Sequence, residues 1–431
     1  MTFGISSRSF IVADIIYGVD FGTSNSAIAI MKDGQETVMR GRSKDDKTES
    51  SILFFPKWEM GIHYVGNEAI KQYIDSGMDG RLIQSIKSIL PDILFNFTWI
   101  HGKKYEIDDL VSLIIRHLKK KADNSINADI TKAVFGRPAV FSENPEEDKA
   151  AEQRLLSAAL KAGFKEVHFQ LEPIAAAFSY ELRIDKPEIV LVADLGGGTS
   201  DFTIMRLDPK KVQQNNRTSD ILATGGIHIA GNDFDSAVMW NKLVSYFGYG
   251  AKYSTWDKWL DLPVHIFRRL CQWERIPFLK ARDTREMLRR FLHSADNKEA
   301  VARLITLIEK DLGFSLFKAI EEAKKVLSYN DSASIDFEQH NIIIHEPMTL
   351  SEFNKFIHEE VEKFENYLTS FISNAGLNDK DIDTVFITGG SSLVPALREI
   401  FVKKFGENKI RGGETFTSVA SGLALSSVLF F

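Results

Sequence analysis

Two segments of this chain repeat the same short pattern, and any fold must accommodate both. The first is Ile15-Ile16-Tyr17-Gly18-Val19-Asp20-Phe21-Gly22-Thr23, followed by the apolar run Ala27–Met31. The second is Ile189-Val190-Leu191-Val192-Ala193-Asp194-Leu195-Gly196-Gly197-Gly198-Thr199, followed by Phe202–Met205, its Asp standing 174 residues after Asp20. In each, an apolar strand ends on Asp, turns through glycine and returns as a second apolar strand, the pattern of a hairpin with a glycine tip. The pair reads as an internal duplication. A chain of 431 residues exceeds what one core usually supports, so two domains are expected. An apolar fraction of 44% with 26% charged residues excludes disordered and collagen-like classes.

Helices and strands alternate after each hairpin, so the fold class expected is α/β. Asp148–Ala162 has helical spacing and stops at Gly163, Glu166–Gln170 is a short strand, and Glu172–Leu182 is an Ala-rich helix with Pro173 in its first turn. Ser351–Ser373 reads as one long helix, Ile382–Thr388 as a strand, and Leu393–Lys404 and Phe416–Ser427 as further helices. The boundary between halves is placed at Ile184-Asp185-Lys186-Pro187. This gives a first domain over 1–185, a second over 186–415, and a last helix at 416–431 packing back on the first. Residues 1–14 read as an extension rather than a secretion signal, because Asp14 interrupts the apolar run.

The glycine tips suit phosphate. Glycines let backbone N–H groups approach an anion without Cβ obstruction, and a run of such amides forms an anion-binding concavity. Gly22, Thr23, Ser24 and Asn25 at the first tip and Gly196, Gly197, Gly198 and Thr199 at the second are the candidate donors. Asp20 and Asp194 would repel a bare polyanion, but they make sense if a hydrated Mg²⁺ lies between them and the phosphates, each holding it through water. A single such tip could simply be a tight turn; the matched pair argues against that.

These motifs resemble the actin, sugar kinase and Hsp70 ATPase superfamily, and within it the Hsp70 nucleotide-binding domain. Asp20–Ser26 and Asp194–Asp201 resemble its two phosphate loops, and Leu171-Glu172-Pro173-Ile174-Ala175-Ala176-Ala177 its connecting motif. Gly231-Asn232-Asp233-Phe234-Asp235 follows the second loop as it does in that family, which implies nucleotide contacts for Gly231, Asn232 and Asp233, while Glu321-Glu322-Ala323-Lys324-Lys325-Val326-Leu327-Ser328 and Thr388-Gly389-Gly390-Ser391-Ser392 resemble its adenosine side. The resemblance covers almost the whole chain. It implies an actin-like ATPase fold, with duplicated ribonuclease H-like domains flanking a nucleotide cleft. It implies ATP/ADP and Mg²⁺ as cofactors, and catalytic roles for Asp20, Glu172, Asp194 and Thr199. Nucleotide contacts are implied for Glu321, Lys324, Lys325, Ser328, Gly389, Gly390 and Ser391. Locally, Glu172 also suits a helix N-terminus, and Lys324 and Lys325 a solvated face.

Departures from the family pattern qualify these implications. Val65–Lys71 aligns Ile70 with the family's catalytic lysine, leaving Lys71 one residue late and rotated by about 100° on a helix. Leu393 and Lys325 stand at arginine positions on the adenine side, Phe416 at an aspartate position, and Glu146 at the arginine that partners Pro138. The chain ends just after its last helix, so the expectation is a short bacterial Hsp70-like protein with no substrate-binding domain. The function expected is a chaperone-type nucleotide switch with slow ATP hydrolysis. Alternatives are an actin-like filament protein and a small-molecule kinase.

The lobe at 236–320 is longer than its family counterpart and holds Trp240, Trp256, Trp259 and Trp273 among arginines such as Arg268, Arg269, Arg282, Arg289 and Arg290. Three readings stand: a local core with a solvated helix face, a docking site for a separate protein, and, disfavoured, a nucleic-acid track. A net charge of −6 gives no global attraction to nucleic acid or anionic lipid. No apolar stretch is long enough to span a membrane. The lone Cys271 reads as inert filler and fits a reducing, cytoplasmic setting.

Overall fold

The computed structural model describes residues 15–23, 25–32, 35–38, 48–57, 59, 61–76, 79–142, 144–181, 184–211, 218–412 and 418–431. Ser24, Phe416 and the 1–14 extension lie outside them.

Both aspartate-terminated strands seed a five-stranded path of the same topology. In the first sheet β1 (Ile16–Phe21) pairs antiparallel with β2 (Asn25–Lys32), which pairs with β3 (Gln35–Val38). On its other side β1 pairs parallel with β4 (Lys132–Arg137), and β4 with β5 (Glu166–Leu171). The second sheet repeats this order. There β6 (Glu188–Leu195) pairs antiparallel with β7 (Ser200–Leu207), and β7 with β8 (Ile221–Ile227). β6 also runs parallel to β9 (Thr384–Thr388), and β9 to β10 (Ile410–Gly412). The duplication visible as two hairpins thus extends through the sheets.

Helices cover the first sheet according to their apolar faces. The exception is α1 (Gly66–Asp75), which turns Ala69 and Tyr73, one helical turn apart, onto Ile52 and Phe54 beside the strand Leu53–Pro56. α2 (Ile107–Ile126) and α3 (Pro145–Ala162) pack together over the first core. α3 opens on Asn144, whose side chain accepts from the Glu146 N–H, and stops at Gly163 with φ 111°. α4 (Glu172–Glu181) follows β5 directly and is apolar nearly all round, because it is buried between the two sheets.

The second sheet carries α5 (Gly231–Val238), α6 (Val264–Leu270), α7 (Arg282–Ser294), α8 (Lys298–Glu309), α9 (Gly313–Leu327), α10 (Leu350–Phe356), α11 (His358–Asn374) and α12 (Pro395–Phe405). The single helix expected over Ser351–Ser373 is therefore two. The backbone bends at Ile357 (φ −93°, ψ 6°), while its N–H still donates to the Phe353 carbonyl. The bend leaves Phe353, Ile357 and Phe364 all buried in one core. Thr349 and Glu352 cap the start reciprocally. The turn before α12 is a short 3₁₀ segment, Gly390–Leu393, so the helix starts at Pro395 rather than Leu393. The 236–320 lobe extends the core of the second sheet, adding Phe247, Phe267, Leu270 and Phe291 to it, with Cys271 buried beside them. Among the described residues no helix is long and apolar enough to cross a membrane.

The last helix, α13 (Ser418–Leu425), packs against α4, β1 and β2 at backbone distance. A Cβ on Gly18 would lie 2.5 Å from the Ala420 carbonyl oxygen, and one on Gly422 would lie 1.6 Å from that of Ala175. Glycine is the residue these crossings permit. Gly422→Ala is expected to force α13 off α4 and cost about 1–3 kcal/mol, read as a lowered denaturant midpoint; an unchanged midpoint would refute this packing.

Candidate functional site

The site begins at the two hairpin tips. At the first, a Cβ on Gly22 would sit 2.1 Å from the Asn25 carbonyl, so the turn closes only with glycine there. Ser51 Oγ donates to the Gly22 carbonyl at 2.8 Å and lies 2.7 Å from Ser26 Oγ, which ties the tip to the following strand. At the second tip the Gly196 N–H donates to the Thr199 carbonyl at 2.9 Å. The tips face each other: a Cβ on Gly198 would lie 3.8 Å from Thr23 Oγ1.

Neighbouring loops hold the second tip. The Gly196 carbonyl accepts from Ser391 Oγ at 2.6 Å and the Gly197 carbonyl from the Asn232 N–H at 2.8 Å. Gly389, at φ 84°, lets the end of β9 lie against β6; a Cβ there would come 2.3 Å from the Leu195 carbonyl and 2.8 Å from Asp194 Oδ1. Lys324 donates to the Gly231 carbonyl at 3.0 Å and pairs with Asp235 at 2.7 Å, joining α9 to α5. Gly231, Asn232, Lys324, Gly389 and Ser391 thus converge beside the tip.

Beneath the tips lies a crowd of carboxylates. Asp20 and Asp194 end their strands partly exposed, while Glu172 and Asp201 are buried. Asp201 stands opposite Asp194 in the β6–β7 register, bonds to Thr199, and accepts from the Ala139 N–H at 3.1 Å. One cation answers them. Lys87, itself buried, donates to Glu172 Oε1 at 2.6 Å. Gly136 on β4 leaves room for Glu172, since a Cβ would come 2.9 Å from its Cγ.

Burial and the nearby Glu172 carboxylate push Asp20 and Asp201 each up to about 7, and Asp194 is raised well above the usual carboxylate range for the same two reasons. Burial alone would depress the Lys87 ammonium, but Glu172 and Asp20 outweigh it and hold its pKa above the ordinary lysine value. Four carboxylates around one ammonium are short of positive charge. Among the described residues no three His, Cys, Asp or Glu side chains converge closely enough to ligate a bare metal ion. A cation held mainly through its own waters fits this donor set, and that is the mode Mg²⁺ favours.

The lysine of the cluster is Lys87, not Lys71. Lys71 lies on the exposed face of α1, opposite the buried Ala69 and Tyr73. The start of α1 is set by Glu49, whose carboxylate accepts from the Asn67 N–H at 2.8 Å and occupies the space a Cβ on Gly66 would need. The Gly66 motif thus serves that buried contact. Lys87 sits in the 3₁₀ turn Ile86–Ile89, a cation inside the apolar run Ile86, Ile89, Leu90, and that placement is the signal that could have found it. Other candidates sit further out. Glu321 and Lys325 form a half-exposed pair at 2.9 Å on α9, near Asp235. Ser328 bonds back to the Lys324 carbonyl at 3.4 Å, and Asp233 caps α5 through the Ala230 N–H at 2.9 Å. Gly390 begins the 3₁₀ turn that carries Ser391, Leu393 lies partly exposed at its end, and Asn25 is exposed.

The folded chain holds the Asp20 and Asp201 protons more tightly than the unfolded chain does. Their stabilising contribution is therefore full below the unfolded carboxylate range and is lost as pH rises through about 7. The ligand-free protein should accordingly melt several degrees lower at pH 8 than at pH 6, and Asp201→Asn should flatten that difference. Lys87→Met is expected to destabilise by about 3 kcal/mol at pH 8 and less at pH 6, where protonation relieves the cluster. Lys71→Ala should stay within about 0.5 kcal/mol of the parent. Equal effects of the two lysine changes would refute the assignment.

Comparison with known proteins gives a consistent result. The family model described as Hsp70 protein matches residues 92–253 and 303–430. The chain is 26% identical over 418 residues to proteins named "Chaperone protein DnaK" from Thermosipho africanus and from Thermosipho melanesiensis. Each alignment covers 96% of this chain and 59% of the relative, so the chain spans less than two thirds of their length. The two sheets of matching topology are those of the actin-like ATPase fold. The chain belongs to the Hsp70 family.

Proposed function

We propose that this chain is a Mg-ATP-binding nucleotide switch of the chaperone type that hydrolyses ATP slowly. The observation that carries the reading is the pair of glycine tips facing each other over one buried lysine and four carboxylates. Backbone N–H groups of the tips, with the Thr23 and Thr199 hydroxyls, are the proposed donors for phosphate oxygens. Asp20 and Asp194, the two carboxylates open to the cleft, suit the waters of a bound cation. Mg²⁺, when bound, offsets the phosphate charge and the excess of carboxylates together. Lys87 adds a fixed positive charge below the tips, and Glu172 fixes its direction. Asp201, pushed up to about 7 by burial and Glu172, and Asp194, raised well above the usual carboxylate range by the same two causes, can each in the ionised form take a proton from an attacking water. The convergence of Gly231, Asn232, Lys324 and Ser391 supports a nucleoside pocket beside the second tip.

A separate protein partner is proposed to read the nucleotide state at the 236–320 lobe. The short hairpin Lys252–Ser254 and Trp259–Asp261 supports this, because Trp256 at its turn is wholly exposed and Trp259 is 55% exposed. Trp240 instead packs on Tyr249 at 4.9 Å. The stretch 254–302 falls between the two segments that the family model matches.

Titration calorimetry should show ATP and ADP binding that weakens sharply without Mg²⁺. Asp194→Asn and Thr199→Ala are each expected to slow phosphate release at least about tenfold in single-turnover assays. Release at the parent rate in both variants, or no Mg-dependent nucleotide binding, would sink the proposal.

A further inference from the structure

A second cavity lies where the two halves of the molecule meet, away from the hairpin tips. It measures about 670 Å³, the size of a small-molecule site. One wall comes from the strand Gly80–Ile83 and the hairpin Phe97–Ile100/Lys103–Glu106; the other comes from Lys280 and the end of α8. The halves already touch beside it. Tyr73 Oη donates to the Asp311 carbonyl at 3.0 Å, and the Tyr73 ring meets Phe314 edge-on at 6.5 Å.

The charges of this cavity do not cancel. Asp79 pairs with Lys57 at 3.3 Å, Asp311 with Lys280, and Glu309 with Arg285 at 3.0 Å. That leaves Arg81 on one wall and Lys310 on the other, both exposed and, among the described residues, without an acidic partner. Trp99, 64% exposed, adds an aromatic wall. A guanidinium presents a planar fork that matches an oxyanion in two bonds, and an ammonium on the facing wall adds a point charge. A ligand satisfying both must be small and carry at least two negative charges in phosphate-like oxyanions.

We propose that this cavity binds a small phosphate-type polyanion that bridges Arg81 and Lys310 and clasps the two halves together. Binding adds a tie beside the Tyr73–Asp311 contact, so it disfavours opening of the cleft. The site itself stands apart from the proposed nucleotide function; only the effect on nucleotide release rests on that reading.

Inorganic pyrophosphate is the probe, titrated calorimetrically into the full chain saturated with Mg-ADP and into the nucleotide-free chain. Saturable binding is expected in both, weakened at least about tenfold by Arg81→Ala or Lys310→Ala, partly retained in Arg81→Lys, and unchanged in Thr199→Ala. Pyrophosphate should also slow release of a fluorescent ADP several-fold in the parent and not in Arg81→Ala. Binding lost in Thr199→Ala but kept in Arg81→Ala would place the anion at the hairpin tips and overturn the proposal. Absence of saturable binding would overturn it too, including the case in which the cavity takes only acidic side chains of a protein. Should the chain bind no nucleotide, the titration of the nucleotide-free protein still decides the anion site.

Discussion

The arrangement around Lys87 sets the terms for the rest of the molecule. Among the described residues its ammonium is the cation set among Glu172, Asp20, Asp194 and Asp201, and it reaches them from a turn that follows the Gly80–Ile83 strand. Glu172 begins a helix lodged between the sheets, while the three aspartates sit on strands of both. The pair Lys87–Glu172 therefore fixes where the first sheet's accessory segment stands relative to the cleft floor. A buried pair of this kind contributes little net stability by itself, but removing one partner strands the other in a poor dielectric. The cluster is better understood as a device that keeps charge waiting than as a fastening.

What fastens the fold is close backbone contact. Gly18 and Gly422 let α13 lie directly on β1 and α4, and Gly389 lets β9 reach the second tip. Because α13 also touches β2, the last turns of the chain brace the strand pair that carries the first tip. Phe430 continues this bracing by stacking on His168 of β5 at 5.0 Å. The two tips are consequently anchored by segments far apart in sequence, which is how the spacing between Thr23 and Gly198 comes to be defined.

Much of this was legible in the sequence because it is local. A strand that ends in Asp-x-Gly and returns apolar announces its own hairpin, and two copies announce the duplicated sheets. Asn144, Gly163 and Thr349 mark helix ends through bonds to residues two to four positions away. Lys87 was not legible in that way. Its partner Glu172 lies 85 residues on, and family spacing pointed instead to Lys71, on a helix whose inward face is set by Ala69 and Tyr73. Asp201 was visible in the motif, yet its role emerges only from the Ala139 N–H across 62 residues and from its position opposite Asp194. The bend at Ile357 was equally hidden, because helical periodicity continues through it and only the common burial of Phe353 and Phe364 demands it.

The charge imbalance bears directly on the proposed function. Without a ligand, burial and then the nearby Glu172 carboxylate push Asp20 and Asp201 up to about 7, so each is partly protonated near neutrality. Under the proposed function, a cation arriving with its phosphates would favour ionised carboxylates, so ligand binding and proton release would be linked through the same atoms. On that reading the acidic floor takes part in binding together with the tips, and departure of the ligand would return the protons to Asp20 and Asp201.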